Sequence, residues 1–97
     1  MDEPLRIDKW LWAARFFKSR SLAQTAIENG RVLVGGQRVK LSRALRPGDE
    51  LTLRIGDDER TIVVLGLDDR RGPASVAQTL YEETPESIAR REARRES

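Results

Sequence analysis

Cysteine and histidine are both absent from the 97 residues of this chain. Without cysteine there is no disulfide, no zinc–thiolate site and no thiol nucleophile. Without histidine there is no imidazole to act as a general base, to ligate a metal ion or to activate a serine. We therefore expect a protein that is not an enzyme and that needs no metal ion or other cofactor.

Long apolar runs are also absent, since none approaches the roughly 20 residues of a membrane-spanning helix. The acidic start of the chain lacks the apolar segment of a signal peptide. Glycine-rich phosphate-binding motifs of the GxGxxG and GxxxxGK types do not occur. The sequence predicts a cytoplasmic protein with no membrane partner and, because nothing demands a dimer, a monomer.

Charge is distributed unevenly along the chain, although the net charge is only +2. Residues 6–46 contain ten Lys or Arg against Asp8 and Glu28, whereas residues 47–97 contain twelve Asp or Glu against eight Lys or Arg. Such segregation is typical of a polyanion-binding face, because each neutralised phosphate releases counterions. Charge alone leaves open the alternative of a basic surface that meets only solvent.

A first amphipathic helix is predicted from about residue 8 to residue 18. Ile7, Leu11 and Ala14 recur at helical spacing, and aromatic residues widen the same apolar stripe. Asp8 is of the residue type that caps helix starts. This stripe predicts that one side of the helix packs against the rest of the protein.

A second short helix follows and makes a helical hairpin with the first. Ser19 and Ser21 are both candidate caps, and Ser21 with Gln24 has the spacing of a capping box. Gly30 ends this helix, since glycine is the usual residue just after a helix. Two helices joined by a tight turn are therefore predicted for the first third of the chain.

Antiparallel strands are predicted after the helical hairpin, at residues 32–34, 37–40, 50–55 and 60–67. Gly35 and Gly36 can both adopt the positive φ that a two-residue hairpin turn requires. The segment 46–49 has the composition of a turn. The fold class is therefore α+β: a helical hairpin packed on a small antiparallel sheet, with a short helical tail.

The chain is predicted to divide into a domain at residues 5–67, with its core motif at 6–55, and a C-terminal extension at 68–97. Thr84–Pro85 favours a helix start within the extension. Residues 87–97 contain few apolar side chains, so we expect a frayed charged helix or a disordered tail.

The start of the second helix is the candidate binding site for a phosphate. If Ser19 caps this helix, the N–H groups of Arg20, Ser21 and Leu22 lack partners within the helix and point at the same place as the positive end of its dipole. The Arg20 guanidinium adds a charged fork there, and Gln24 adds a neutral hydrogen-bond donor.

The candidate RNA-binding residues are the basic and hydrogen-bonding residues of the two helices and the strand hairpin: Arg6, Lys9, Arg15, Lys18, Ser19, Arg20, Ser21, Gln24, Arg38, Lys40 and Arg43. Arg15 lies on the opposite shoulder of the first helix from Arg6 and Lys9. Trp10 lies on the apolar stripe and is predicted to be core. Trp12 lies off the stripe, and we expect it to pack against the sheet or the C-terminal segment, with stacking on an unpaired base as the alternative.

An ordered set of short motifs resembles the S-four RNA-binding domain, also called the αL motif. It consists of Arg6-Ile7-Asp8-Lys9, Ser19-Arg20 with Ala23 and Ile27, Gly30-Arg31-Val32, Val34-Gly35-Gly36 and Pro47-Gly48-Asp49. Gly35 stands where this family usually has asparagine, and both residues accept positive φ. The resemblance implies RNA binding through the helical hairpin.

Longer matches resemble one branch of that family, the bacterial ribosome-associated heat-shock protein fifteen. They are Asp8 to Lys18, Asp58-Glu59-Arg60-Thr61 and Leu80-Tyr81-Glu82-Glu83-Thr84. This resemblance implies binding to ribosomal RNA on the large ribosomal subunit, recycling after heat shock of subunits that carry peptidyl-tRNA, and no catalysis. Members can carry a longer basic C-terminal extension, so we expect the strength of ribosome attachment to differ here.

Two other functions remain open at this point. An RNA-targeting module can work with a separate RNA-modifying or aminoacylating enzyme. A basic face can also bind an acidic protein instead of RNA, and DNA carries the same phosphate charge.

Overall fold

The computed structural model describes residues 5–96 and has the predicted α+β architecture. Its elements in chain order are β1 (Leu5–Arg6), α1 (Ile7–Ala13), α2 (Arg20–Glu28), β2 (Val32–Val34), β3 (Gln37–Arg38), β4 (Ala44–Leu45), β5 (Glu50–Ile55), β6 (Asp58–Val64), α3 (Ala74–Ala77), a 3₁₀ turn (Gln78–Leu80), β7 (Tyr81–Glu83) and α4 (Pro85–Glu96). No helix in this range is both long and apolar enough to cross a membrane.

Helix α1 is shorter than predicted, because the chain turns at Arg15. Arg15 has φ +65°, in the left-handed region that bulky L-residues seldom adopt. Its N–H donates to the Trp12 carbonyl, and the Phe16 N–H donates to the Leu11 carbonyl. This pair of bonds is a Schellman motif. Phe16 still packs against the core from the loop, which explains why the apolar pattern continues past the end of the helix.

Helix α2 is capped by Ser19, one of the two predicted candidates. The Ser19 Oγ accepts a hydrogen bond from the Leu22 N–H at 3.2 Å. The predicted capping box of Ser21 and Gln24 is wrong, because Ser21 lies inside the helix and the Gln24 side chain bonds to α1. Gly30, with φ +72°, follows the last turn as predicted.

The main sheet has five antiparallel strands in the order β3-β2-β5-β6-β7, and β1 pairs with β4 in a separate two-stranded sheet. Gly35 and Gly36 form the predicted hairpin turn, with φ values of 57° and 80°. Strand β6 begins and ends earlier than predicted and pairs Ile62 with Leu51. Strands β1, β4 and β7 were not predicted, because each has only two or three residues.

The core lies between the helical hairpin and the sheet. Trp10 is fully buried as predicted, and its Nε1 donates to the Gly66 carbonyl at 2.8 Å. The other core residues that are at most 1% exposed are Ile7, Leu11, Ala13, Ala23, Ile27, Val32, Leu45, Leu51, Leu53, Ile62 and Val64. Because this core fixes α1 and α2 against the sheet, their outer faces keep a defined geometry.

Helix α4 covers most of the segment for which the sequence predicts a frayed charged helix or a disordered tail. The Thr84 Oγ1 accepts from the Ser87 N–H, which confirms the predicted start, and the helix continues to Glu96. Ser87 is fully buried: its Oγ accepts from the Thr61 N–H at 2.9 Å and donates to Glu83 Oε2 at 2.7 Å. One hydroxyl therefore ties α4 to β6 and β7. The predicted disorder also falls on Ser97, which lies outside the described residues.

Candidate nucleic-acid interface

A buried carboxylate, that of Asp8, is the centre of the surface at the start of α2. Its oxygens accept hydrogen bonds from Gln24 Nε2 at 2.9 Å, from Arg6 at 3.2 and 3.3 Å, and from Arg20 at 3.3 and 3.5 Å. The Lys9 backbone N–H also donates to it, at 2.8 Å. One acid thus orients three of the side chains predicted to bind RNA. We refer to Asp8, Arg6, Arg20 and Gln24 as the Asp8 cluster.

The contacts within the Asp8 cluster keep its carboxylate ionised. Burial raises the pKa of Asp8, but the hydrogen bonds from Gln24 and Arg20 and the charges of Arg20 and Arg6 outweigh that effect, so the pKa lies below its ordinary value. The Arg6 and Arg20 side chains remain 46% and 41% exposed. Two cations around one anion leave a net positive charge, and their outward N–H groups can bind a further anion.

Asp8 was predicted as a helix cap, and the structure corrects this prediction. The N-cap residue of α1 is Arg6, which makes no side-chain cap bond, and Asp8 lies within the first turn. Its carboxylate instead reaches across to α2. The sequence signal for this role was that Asp8 is one of only two acids in the basic segment 6–46.

The first turn of α2 offers fewer backbone donors than predicted. The Leu22 N–H is occupied by the Ser19 Oγ, so the N–H groups of Arg20 and Ser21 are the ones left for a phosphate. The hydroxyls of Ser19 and Ser21 lie 3.2 Å apart. The helix dipole and the neighbouring guanidinium favour an anion at this point.

The loop after β3 brings Arg43 beside the Asp8 cluster. The Ile7 N–H donates to the Arg43 carbonyl at 2.8 Å, next to the β1–β4 pair that contains Arg6. Lys40 and Arg43 are exposed, and together with Arg38 they line an open groove. The structure therefore extends the positive surface from α1 onto this loop.

Arg38 itself lies at the other end of α2 from Arg20. Its Nη2 donates to the Glu28 carbonyl at 2.6 Å, in the last turn of the helix. A Cβ at Gly30 would lie 3.2 Å from the Arg38 Nε, so this glycine leaves room for the guanidinium. Arg38 thus contributes to the groove and to the end of α2, and not to the phosphate site at its start.

Arg15 and Lys18 are both exposed in the segment that connects α1 to α2. The Arg15 Nε donates to the Gly72 carbonyl at 2.7 Å, which holds its side chain on the C-terminal segment. The prediction that Arg15 lies opposite Arg6 and Lys9 assumed a helix that continues to Lys18, whereas α1 ends at Ala13. Arg15 is not part of the Asp8 cluster.

Arg71, which the sequence did not single out, fastens the C-terminal segment to the same connection. Its Nη1 donates to the carbonyls of Trp12 and Phe17 at 2.6 and 2.9 Å. Its guanidinium lies 5.9 Å from the centre of the Trp12 ring. The predicted packing of Trp12 against the C-terminal segment is confirmed.

The donor set of this surface is suited to an anion. Arginine, lysine, glutamine, serine and backbone N–H groups all present hydrogens. Among residues 5–96, no group of three or more acidic, histidine or cysteine side chains gathers to hold a metal ion. The ligand that this chemistry fits best is a chain of phosphates.

Comparison with known proteins identifies a matching family and several relatives of this chain. The S4 domain family model matches residues 5–51. Heat shock protein 15 of Escherichia coli K12 is 53% identical over 88 residues, which cover 91% of this chain and 66% of that protein. This chain therefore spans about two thirds of the length of that relative. The heat shock protein 15 homolog of Haemophilus influenzae is 46% identical over 91 residues, which cover 94% of this chain and 70% of that protein.

Two further relatives extend the comparison. The RQC P-site tRNA stabilizing factor of Bacillus subtilis is 40% identical over 65 residues, which cover 67% of this chain and 76% of that protein. The trimeric structure of Vibrio cholerae heat shock protein 15 superposes with a TM-score of 0.92 at 50% identity, covering 95% of this chain and 93% of that one. The monomer expected from the sequence stays a prediction.

Proposed function

Because this chain belongs to the heat shock protein 15 family of S4-domain proteins, we propose that it binds RNA on the ribosome in the cytoplasm and catalyses no reaction. Its target in this proposal is ribosomal RNA of the large subunit, on subunits that still carry peptidyl-tRNA after heat shock. Relatives named for heat shock and for stabilising P-site tRNA support a ribosome-associated role. The absence of cysteine and histidine supports a binding protein over an enzyme.

The observation that carries this proposal is the Asp8 cluster. A fully buried carboxylate orients two arginines whose side chains are nearly half exposed, directly beside the start of α2. Pre-oriented guanidinium groups lose little side-chain entropy when they bind phosphate in a bidentate manner. The surface is therefore built to hold a phosphate backbone in one position.

The candidate residues divide into groups with different roles in this proposal. Arg6, Arg20, Ser21 and Gln24 hold the phosphate nearest α2, with Ser19 as the cap that sets the helix start. Lys9, Lys40 and Arg43 contact neighbouring phosphates. Arg15, Lys18 and Arg38 lie at the margins of this surface, so each has a smaller effect on affinity.

Removal of the cations at the start of α2 tests the proposal. The triple variant Arg6→Ala/Lys9→Ala/Arg20→Ala is expected to lower affinity for ribosomal RNA by about 100-fold or more, and the salt dependence of binding to flatten, because each phosphate contact contributes about 0.7–0.9 to the log–log slope. Fluorescence anisotropy at several salt concentrations measures both quantities.

The control for this variant is Arg46→Ala/Arg54→Ala/Arg70→Ala, which removes the same charge from exposed positions outside the surface. Circular dichroism verifies that both proteins remain folded. Equal RNA affinity of the folded triple variant and this control would refute the proposal.

Gradient sedimentation with ribosomes separates the proposed function from its alternatives. Migration with large subunits, and more strongly with subunits that hold peptidyl-tRNA, is the expected result. Copurification with a catalytic subunit would instead support a targeting module for a separate enzyme. Failure to migrate with either subunit would favour a protein-binding role for the basic face.

A further inference from the structure

Helix α4 carries its arginines on the side that faces β6. These arginines are Arg90, Arg91, Arg94 and Arg95. They follow the buried Ser87 by three, four, seven and eight residues, and this spacing places side chains on one face of a helix. Glu92 points to another side on the same helical geometry. This separation is not evident in the sequence, because glutamates are interspersed among the arginines of the helix and residues 47–97 contain more acids than bases.

Contacts with the sheet hold three of these arginines in place. Arg91 makes two bonds to the Glu83 carboxylate, at 2.6 and 2.9 Å, and so neutralises it. The Arg90 Nη2 donates to Thr61 Oγ1 at 3.3 Å, and the Arg94 Nη1 donates to the Asp57 carbonyl at 3.1 Å. The bond from Arg90 ends on a neutral oxygen, so this bond does not cancel the positive charge of Arg90.

Two neighbouring cavities lie beside β6, and the arginines of α4 line one of them. The first, the α4 groove, has a volume of about 270 Å³ and is lined by Asp58, Arg60, Arg91, Arg94 and Arg95. The second, the aromatic cleft, has a volume of about 250 Å³ and is lined by Arg15, Phe16, Leu53, Ile55, Asp58, Arg60 and Tyr81. Asp58 and Arg60 belong to both linings, so the two cavities adjoin.

The two cavities have different chemistry. In the aromatic cleft, the rings of Phe16 and Tyr81 lie 4.6 Å apart between centroids. The rest of the wall combines two aliphatic and three charged side chains, which suits a flat group that has an apolar face and a polar edge. Arg15 and Asp58 at the cleft can donate to and accept from the polar edge of such a group. The α4 groove presents guanidinium groups, which suit phosphate.

We propose that the α4 groove and the aromatic cleft together form a second RNA site, which binds an unpaired nucleotide with its base in the cleft and its phosphates on Arg60 and Arg95. This inference rests on the proposed function, and it adds a preference for single-stranded RNA to it. Unpaired bases stack on aromatic side chains, whereas bases of a duplex are hidden in its helical stack.

The linings argue for RNA over an acidic protein segment. The Asp58 carboxylate lies where the two cavities meet, and it repels a purely anionic ligand while it can accept a hydrogen bond from a base amino group. Asp58 lies 3.9 Å from Arg60, so the contact between them is loose. A single strand of RNA supplies the phosphates and the flat base that the two linings require.

Charge removal in the α4 groove is the first test. The double variant Arg60→Gln/Arg95→Gln is expected to bind a fluorescein-labelled single-stranded RNA of 12 nucleotides roughly 10-fold more weakly at about 0.1 M salt, with a log–log salt slope lower by about 1.4. The matched control, Arg46→Gln/Arg70→Gln, has the same charge and alters exposed residues elsewhere. It is expected to bind nearly as the unmodified chain does.

A second test addresses the aromatic cleft. Tyr81→Leu is expected to weaken binding of the single-stranded RNA about 10-fold and to leave binding of a 12-base-pair RNA duplex unchanged, while Tyr81→Phe retains stacking and affinity. Photocrosslinking of the unmodified chain to the same single strand containing 4-thiouridine is expected to modify Phe16 or Tyr81. The crosslink keeps the test decisive if Tyr81→Leu does not fold.

The outcomes separate this inference from the proposed function. If Arg20→Ala weakens RNA binding, but Arg60→Gln/Arg95→Gln behaves like its control and crosslinks avoid the cleft, the second site is refuted and the proposed function stands. If the unmodified chain binds neither RNA, both fail. Displacement of the single strand by a 12-residue polyglutamate peptide, from the unmodified chain but not from the double variant, would identify an acidic protein as the occupant and overturn the proposal.

Discussion

The Asp8 cluster and the contacts of Glu83 share one arrangement, in which a carboxylate holds arginine side chains in place. Asp8 is fully buried and bonds two arginines that remain 46% and 41% exposed. Glu83 is 13% exposed and bonds a single arginine, Arg91, that is 30% exposed. In both, a neutral side chain completes the set: Gln24 for Asp8 and Ser87 for Glu83.

The two arrangements differ in the net charge that remains available to bind a ligand. Asp8 has one charge for two arginines, so the cluster keeps a net positive charge on its exposed side. Glu83 and Arg91 cancel one another, so this pair secures α4 and leaves no net charge of its own for a ligand. A carboxylate therefore orients cations for binding in the first case, and it stabilises the packing of a helix in the second.

Removal of the buried acid is expected to have the largest effect. Asp8→Ala leaves Arg6 and Arg20 close together without their common anion. The loss of the hydrogen bonds to this buried carboxylate is expected to cost about 3 kcal/mol of unfolding free energy. RNA affinity is expected to fall as well, because the guanidinium groups lose their orientation. Urea unfolding and fluorescence anisotropy measure the two effects, with Asp69→Ala, in an exposed loop, as the control. An unfolding free energy equal to that of the control would show that the cluster contributes no stability.

Ser87→Ala is expected to have an intermediate effect, confined to stability. It removes the acceptor of the buried Thr61 N–H and one donor to Glu83, and an unsatisfied buried donor costs about 1–2 kcal/mol. Urea unfolding measures the loss, and Ser75→Ala, at an exposed position of α3, is the matched control. Affinity of the Asp8 cluster for RNA should stay unchanged, and a parallel loss of that affinity would contradict the different roles of the two carboxylates.

Glu83→Gln is expected to cost least, below about 1 kcal/mol at neutral pH, because partly exposed ion pairs contribute little. The hydrogen bonds from Arg91 have the largest effect on the pKa of Glu83 and lower it. Burial raises this pKa, and the hydrogen bond from Ser87 lowers it further. The pKa values of Asp8 and Glu83 are both lowered in the folded protein from their ordinary values of 3.8 and 4.5. The stability that the two ionised carboxylates supply is therefore fully present at a pH above these ordinary pKa values. It is lost as the pH falls through the lower pKa values of the folded protein.

The pH dependence of unfolding sharpens the same comparison. The unmodified chain is expected to lose stability on acidification below about pH 4.5, and Glu83→Gln is expected to remove a small part of that loss. Asp8→Asn is expected to remove a larger part, because Asp8 accepts more charge-assisted bonds. Urea midpoints measured from neutral to acidic pH provide the test, and equal curves for both variants would contradict it.

Local patterns predicted much of the fold. Apolar spacing placed both helices, Ser19 was one of two candidate caps, and Gly35–Gly36 indicated the hairpin that joins β2 and β3. These features depend on neighbours within a few residues along the chain, so the sequence carries the signal directly. The same reasoning failed at Arg15, where a non-glycine residue with positive φ ends α1 against its own preference.

The candidate site was predicted in part, for a related reason. The basic and hydrogen-bonding residues at the start of α2 were recognised, because helix starts and charge counts are visible in sequence. That Arg20 and Gln24 share Asp8, or that Arg38 bonds to the far end of α2, depends on how separate elements pack. Their roles in RNA binding remain predictions for the experiments above.

The sequence by itself determined the fold class, the family and the uneven distribution of charge, because periodicity, turn residues and motif order are local properties of the chain. Only the tertiary structure decided which charges cancel and which remain. A carboxylate 12 residues from Arg20 became its partner, and the arginines of an acidic half of the chain were gathered on one side of α4. Electrostatic interactions depend on distance and burial in space, and separation along the chain does not specify either.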